Sequence, residues 1–300
     1  MPIITVMTDF GIKDGNVGVM KGVILGIAPR TQIVDLSHLV APQNVPEAAL
    51  ILARSAPFFP AGTVHVVVVD PGVGTARRPL AARLGEQYYV GPDNGTLTVL
   101  LEACETLGLP SEFVHLDRPE FWLKDVSYVF HGRDIFSPVA AHLSKLKSKH
   151  LARLGTPISE PVRLVLPRPC HTAGLLQGEI IHIDHFGNAA SNIRIEHVLE
   201  FLRDPAAQPG NYPAAYGIGL DEGKLRGQIE QVISSASGCR VAIAGREIAG
   251  LVSTFGERAP GELVALFGST GNLIVSTVNG SAARDLGLQA GQILEVRLAR

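Results

Sequence analysis

Along the first half of the chain, short dense runs of hydrophobic residues alternate with stretches at helical spacing. Ile3 to Met7 is an apolar run, read as a strand, that stops at Thr8-Asp9-Phe10-Gly11. Asp14 then leads Val17, Met20, Lys21, Ile24 and Leu25, spaced as one helix face that ends near Pro29. Gln32 to Leu36 is a second strand, and Asn44 caps a helix carrying Ala48, Ala49, Leu52 and Ala53, which stops at Pro57. The valine run that begins at Val64 and stops at Asp70 is the densest; it predicts a strand buried on both faces, as in a parallel sheet. Gln87 to Val90 and Phe113 to Leu116 read as further strands, Thr96 to Thr106 and Ile135 to Lys147 as helices. This alternation predicts an α/β domain with an open, mostly parallel sheet covered by helices.

The pattern changes at Pro157, Pro161, Pro167 and Pro169, which mark a linker. We therefore expect an α/β domain over 1–160 and a second domain over 161–300. The second is all strand and turn: Gly178 to Ile183, Arg240 to Ala244, Ile248 to Val252, Glu262 to Phe267, Leu273 to Thr277 and Ile293 to Leu298. Their short, even spacing predicts a small β-barrel, with one helical turn at Ala282 to Leu286. Residues 202–238 read as an irregular insertion carrying one short helix, Leu225 to Ile233.

Composition narrows the function classes. A hydrophobic fraction of 46% and a charged fraction of 18% are those of an ordinary globular protein with ample core. A formal net charge of -2 provides no electrostatic footprint for nucleic acid or an anionic membrane. No apolar run approaches the length of a membrane span, and the first residues carry no secretion signal. Cys104, Cys170 and Cys239, odd in number and far apart, suit a reduced, cytoplasmic protein.

Candidate chemistry gathers where strands end. Asp9 follows the first strand, Asp70 with Arg77 and Arg78 the valine run, Asp93 with Asn94 a later strand, and His131 with Arg133 and Asp134 precedes a helix. Each aspartate alone is equally well an N-cap. Together they fall on the carboxyl edge of one sheet, where open α/β folds bind ligands. Gly72 and Gly74 permit a sharp turn and close backbone approach to a ligand. His182, Asp184 and His185 lack a second cluster to complete a metal ligand set, so no metal is expected. Gly72-Val73-Gly74 lacks the third glycine of a dinucleotide fingerprint. The order of Asp9-Phe10-Gly11 and His131-Gly132-Arg133-Asp134 is wrong for a kinase. Ser269, in Gly268-Ser269-Thr270-Gly271, reads by itself as a hairpin turn.

Five motifs together resemble one family. They are Thr8-Asp9-Phe10-Gly11 with Met20-Lys21-Gly22; Val69-Asp70-Pro71-Gly72-Val73-Gly74-Thr75 with Arg77; Gly91-Pro92-Asp93-Asn94-Gly95; Phe130-His131-Gly132-Arg133-Asp134; and Ile183-Asp184-His185-Phe186-Gly187-Asn188. In this order, over nearly the whole chain, they are similar to the S-adenosylmethionine (SAM) hydroxide adenosyltransferase family, related to the SAM-dependent fluorinase and chlorinase. The resemblance implies a homotrimer, with active sites between the N-terminal domain of one subunit and the C-terminal domain of the next. It implies attack of water or hydroxide on C5′ of SAM, giving adenosine and L-methionine, with SAM as substrate and no cofactor. The family's catalytic triad falls on Asp70, Arg77 and His131. Asp9 matches the aspartate that holds the ribose hydroxyls, and Phe10, Asp93 and Asn94 lie in motifs that meet substrate. Asp184 and Asn188 match residues that hold the methionine moiety, with Phe186 and Ser269 at that end of the pocket. The chain departs from the family in its long insertion. It also has Ala190 where the fluorinase has a stacking aromatic, leaving Phe255 or Phe267 to stack on adenine.

A sulfonium is an activated leaving group, so the chemistry reduces to holding a weak nucleophile in line with C5′. Arg77 cannot act as a base; Asp70 or His131 can accept the water proton. Two alternatives stand beside hydrolysis. A halogenase would place an anion against the Asp70 carboxylate, which Coulomb repulsion opposes. A sensor would bind SAM or adenosine without turnover.

Overall fold

The computed structural model describes residues 1–146, 150–172, 174–205, 210, 221–235 and 238–298. Its contacts divide the chain into two compact units, Met1–Leu164 and Val165–Arg300.

The first unit runs β1 (Ile3–Thr8), α1 (Asn16–Ile27), β2 (Gln32–Ser37), α2 (Val45–Ser55), β3 (Val64–Val68), β4 (Pro79–Leu84), β5 (Gln87–Pro92), α3 (Thr98–Thr106), β6 (Ser111–His115), α4 (Ser137–Lys145) and β7 (Thr156–Ile158). Its seven-stranded sheet has the order β2-β1-β3-β5-β4-β6-β7. β2, β1, β3 and β5 are parallel. β4, β6 and β7 extend the sheet antiparallel. As the valine run predicted, every residue of β3 is buried. Val64, Val66 and Val68 join Ile4, Val6, Met20, Ile24 and Phe136 in one core. Asn44 caps α2 by accepting from the Glu47 backbone N–H at 3.1 Å.

Two features of this unit were not anticipated. β4 is a buried strand whose sequence, with Ala81, Ala82 and Arg83 at its centre, shows neither a valine run nor clean alternation. Ahead of α4, residues Gly132–Phe136 form a π-helical turn with His131 at its N-cap. Such turns gather at functional sites because the extra residue re-aims neighbouring side chains. From β1 the chain passes to β2 on one side and then to β3 on the other. The carboxyl ends of β1 and β3 therefore form a topological switch point, the crevice where open α/β sheets take ligands.

The second unit runs β8 (Cys170–Thr172), β9 (Leu175–Ile183), β10 (Ala189–Arg194), α5 (Ile195–Arg203), α6 (Glu222–Ser235), β11 (Cys239–Ile243), β12 (Arg246–Ala249), β13 (Leu263–Phe267), β14 (Asn272–Thr277), α7 (Ala282–Leu286) and β15 (Ile293–Leu298). The strand order is β12-β11-β15-β9-β10-β14-β13, with β8 beside β9. All named strand pairs are antiparallel. A bridge between Val252 and Leu266 brings the two ends of the sheet together, so the unit is barrel-like and nearly closed. Its core includes Leu176, Ile180, Phe201, Val241, Phe267 and Val296. β10 and α5 are additions to the sequence expectation. α6 contains the expected helix Leu225 to Ile233, while residues 206–209, 211–220 and 236–237 of the expected insertion lie outside the described residues. Among the described residues no helix is long and apolar enough to cross a membrane.

Candidate active site

The loop after β3 turns back on itself for local reasons. Thr75 Oγ1 donates to the Gly72 carbonyl at 2.7 Å and accepts from the Arg77 N–H at 3.3 Å. Gly74 has φ +77°, and a Cβ there would lie 2.6 Å from the Tyr128 carbonyl oxygen. Only glycine lets this loop lie against the segment that carries His131.

Arg77 thereby returns over Asp70. Its Nε donates to Oδ1 and Oδ2 at 2.9 and 3.0 Å, and Nη2 also pairs with Oδ2. The Arg77 and Asp70 side chains are 10% and 6% exposed, and the Arg77 guanidinium lies 5.2 Å over the Phe136 ring. Nη2 is 2.9 Å from His131 Nδ1. Since guanidinium only donates, Nδ1 must accept, and the neutral ring carries its proton on Nε2. Burial and then the Arg77 charge hold the His131 pKa below the ordinary histidine value, against the opposite pull of Asp70, Asp134 and the Ser127 backbone. The three residues expected to form a triad are thus brought together as carboxylate, guanidinium and neutral imidazole.

Across the switch point, Asp9 Oδ2 accepts from the Gln43 N–H at 2.7 Å, and Gln43 takes the left-handed conformation, φ 64°. Phe10 packs edge-on against Phe130, ring centroids 5.8 Å apart. A network not anticipated from sequence supports this loop. Thr8 Oγ1 accepts from the Phe10 N–H at 3.2 Å and is hydrogen-bonded to His38 Nδ1 at 3.0 Å. His38 Nε2 lies 3.1 Å from Asp35 Oδ1, and Lys21 Nζ is 2.6 Å from Asp35 Oδ2. Lys21 stands in a quoted motif, but its partners arrive only through the pairing of β1 with β2.

Asp93 and Asn94, expected to meet substrate, are both hydrogen-bonded within the first unit. Asp93 is 4% exposed; Oδ1 accepts from the Val162 N–H at 2.8 Å and Oδ2 from Arg78 Nε at 2.9 Å. Both oxygens of this carboxylate are thus engaged within the chain. Asn94 Nδ2 donates to the Val69 carbonyl at 2.8 Å, and its Oδ1 accepts from Thr96. It fixes the end of the valine run just before Asp70.

In the second unit, Asp184 Oδ1 accepts from the N–H groups of Phe186 and Asn188, both at 2.9 Å, and Oδ2 accepts from Asn188 Nδ2 at 2.7 Å. Asn188 Oδ1 accepts from Ser276 Oγ. Gly187, φ +85°, fits because a Cβ there would lie 1.9 Å from Ser281 Oγ. The loop is held by its own hydrogen bonds, and it leaves the Phe186 side chain exposed. Ser269 is exposed in a turn between β13 and β14. Of the two aromatics expected to be available to adenine, Phe267 is packed in the barrel core and Phe255 is 41% exposed.

Two family models match this chain: the SAM hydroxide adenosyltransferase N-terminal domain over residues 4–155 and the C-terminal domain over 225–295. The chain is 38% identical to the (R)-S-adenosyl-L-methionine hydrolase of Salinispora tropica, covering 98% of this chain and 97% of that one. It is 31% identical to a fluorinase of an Actinoplanes species, over 64% of this chain and 72% of that one. A crystal structure of a conserved protein from Thermotoga maritima superimposes with a TM-score of 0.78 at 32% identity, covering 99% of this chain and 100% of that one. With both domain models matched in order and relatives aligned over nearly its whole length, the chain belongs to the SAM hydroxide adenosyltransferase family.

Proposed function

We propose that this protein is a SAM hydrolase that releases adenosine and L-methionine. The observation that carries the reading is the partly buried Asp70–Arg77–His131 cluster at the switch point. Water attacks C5′ of the substrate. Its oxygen lone pair forms the C5′–O bond while the C5′–S electrons return to sulfur, giving a neutral thioether, and one proton is released. No general acid and no cofactor enter this reaction. His131 Nδ1 is engaged with Arg77 and its other ring nitrogen already carries a proton, so Asp70 is the group that accepts the water proton as the bond forms. Arg77 holds that carboxylate in place.

In this reading Asp9 accepts from the ribose hydroxyls and Phe10 lines the same end of the pocket. Asp184 and Asn188 hold the ammonium and carboxylate of the methionine part, with Phe186 and Ser269 beside them. The Salinispora relative is named for the R sulfonium epimer, and we take that epimer as the substrate. The test is incubation of purified protein with each sulfonium epimer of SAM, with and without chloride or fluoride. Adenosine and methionine from the R epimer support the proposal. Accumulation of 5′-halogenated adenosine without adenosine would establish a halogenase instead. Binding without any product would establish a sensor.

A further inference from the structure

Asp134 is a fully buried carboxylate that the reaction itself does not use. Its Oδ2 accepts from the Ser127 N–H at 2.9 Å and from Ser127 Oγ at 2.8 Å. Arg133 Nε donates to Oδ1 at 2.6 Å, and Nη2 donates to Oδ2 at 3.1 Å. Ser127 Oγ in turn accepts from the Phe130 N–H at 3.0 Å. The Phe130 carbonyl accepts from the N–H groups of Arg133 and Asp134, both at 3.1 Å. The Arg133 guanidinium lies 5.1 Å over the Phe130 ring. His131 is the next residue after Phe130, so the segment that delivers its ring is tied at both ends to one carboxylate.

A buried carboxylate is costly unless every oxygen is paired, and apolar packing is the cheaper way to seat a helix. α4 already has apolar packing, through Val139, Ala140 and Leu143 in the core. Phe130 packs its ring against the core, but between Ser127 and Phe130 the chain has no apolar anchorage of its own: Tyr128 is 85% exposed and Val129 78% exposed. Polar backbone that lacks apolar anchorage takes one conformation only if hydrogen bonds impose it.

We propose that Asp134 is a positioning residue for the reaction, which sets the turn through Ser127 and Phe130 so that His131 Nδ1 meets Arg77. The proposal rests on the hydrolase reading. Its test uses the full-length protein with Asp134→Asn, Ser127→Ala and Ser127→Thr. Adenosine release from SAM gives kcat and KM, and ring-nitrogen NMR of labelled histidine reads the His131 tautomer.

The expected result is a fall in kcat of about 100-fold for Asp134→Asn, the scale of a misplaced catalytic group. Ser127→Ala lowers kcat in the same direction, and Ser127→Thr, which keeps the hydroxyl, restores it. KM changes by less than about threefold, since ground-state binding is untouched. The His131 ring is the Nε2–H tautomer in the wild type and a mixture in Ser127→Ala. The proposal is overturned if folded Ser127→Ala keeps the wild-type kcat, or if kcat falls while the His131 ring spectrum stays unchanged. Should Asp134→Asn fail to fold, the serine pair alone decides. If the wild type releases no adenosine the hydrolase reading fails, and the tautomer measurement still tests the positioning.

Discussion

At the residue scale the decisive object is a guanidinium with two different acceptors. Arg77 grips Asp70 through two nitrogens and reaches His131 with the same Nη2. Lysine cannot reproduce that fork. Arg77→Lys is expected to lower kcat by about 100-fold with SAM still bound, measured as adenosine release against ligand affinity. Asp70→Asn keeps the shape but loses the proton acceptor, and kcat should fall by about 100- to 10,000-fold. The pH dependence follows from His131. Its pKa is held below the ordinary value by burial and by the Arg77 charge, so the neutral, Nδ1-accepting ring prevails at neutral pH. Protonation turns Nδ1 into a donor facing another donor. Activity is therefore lost as pH falls, with an acidic limb below the usual histidine range. In His131→Asn the side-chain oxygen replaces Nδ1 as an acceptor that does not titrate, and the kcat–pH profile should lose that limb.

At the element scale β3 does two jobs. Its carboxyl end delivers Asp70, and its interior carries His65, which is fully buried. The His65 tautomer is set by its neighbours. Gln87 donates through Nε2 to the carbonyls of Ala56 and Phe59, at 2.7 and 2.8 Å, which turns its Oε1 toward His65 Nε2 at 2.6 Å. Thr5 Oγ1 then donates to Nδ1 at 2.7 Å. Burial pushes the His65 pKa down to about 4, against the Gln87 hydrogen bond, and burial with the Arg194 charge does the same for His197 in the second unit. In each case the unfolded chain binds the proton first. Stability is present in full above the unfolded value of about 6.5 and is lost as pH falls from there toward 4. For His65 the loss is on the order of 3 kcal/mol. Denaturant midpoints at pH 7 and pH 4.5 should show it, and His65→Gln should reduce the difference. The Asp70 loop has its own weak point. Gly74→Ala combines a left-handed φ with a Cβ clash against Tyr128. It should destabilise the protein by about 1–3 kcal/mol and lower turnover with it.

At the scale of the whole molecule, the proposed reacting groups lie in the first unit and the proposed methionine-holding groups, Asp184 and Asn188, in the second. The family resemblance implies a homotrimer with sites shared between subunits, an expectation open to direct test. Light scattering of the purified protein should give three chains. Asp70→Ala and Asn188→Ala are each expected to be inactive. Mixed and allowed to exchange subunits, they should regain about one quarter of the wild-type sites, because random assembly pairs an intact half with an intact half that often. A mixture that stays inactive would place both halves of each site on one chain.

Much of this protein was legible in its sequence, for a physical reason. Burial on both faces of a parallel strand demands the dense valines of β3, and the turn after it demands glycine, so the run ending in Asp70 announced itself locally. The seven-residue step from Asp70 to Arg77 is likewise a local turn, closed by Thr75. A resemblance in five ordered motifs then indicated the family. Other features depend on contacts between residues far apart in the chain. Asp9 and Asp93 look alike as strand-end aspartates, yet Val162 and Arg78 enclose only Asp93. β4 takes its place from the neighbours that pair with it, not from a pattern of its own. Ile195, Val198 and Leu202 show helical spacing, but the expected insertion hid the end of α5, and β10 runs directly into its start. The His131 tautomer exists only once the 127–134 segment meets the Asp70 loop; the π turn and the Asp134 tie are local, but their residues follow no spacing that announces them. Sequence alone determined which residue types stand at the carboxyl edge of the sheet. Tertiary structure decided which of them are free to act, because burial and the choice of hydrogen-bond partner belong to contacts across the fold.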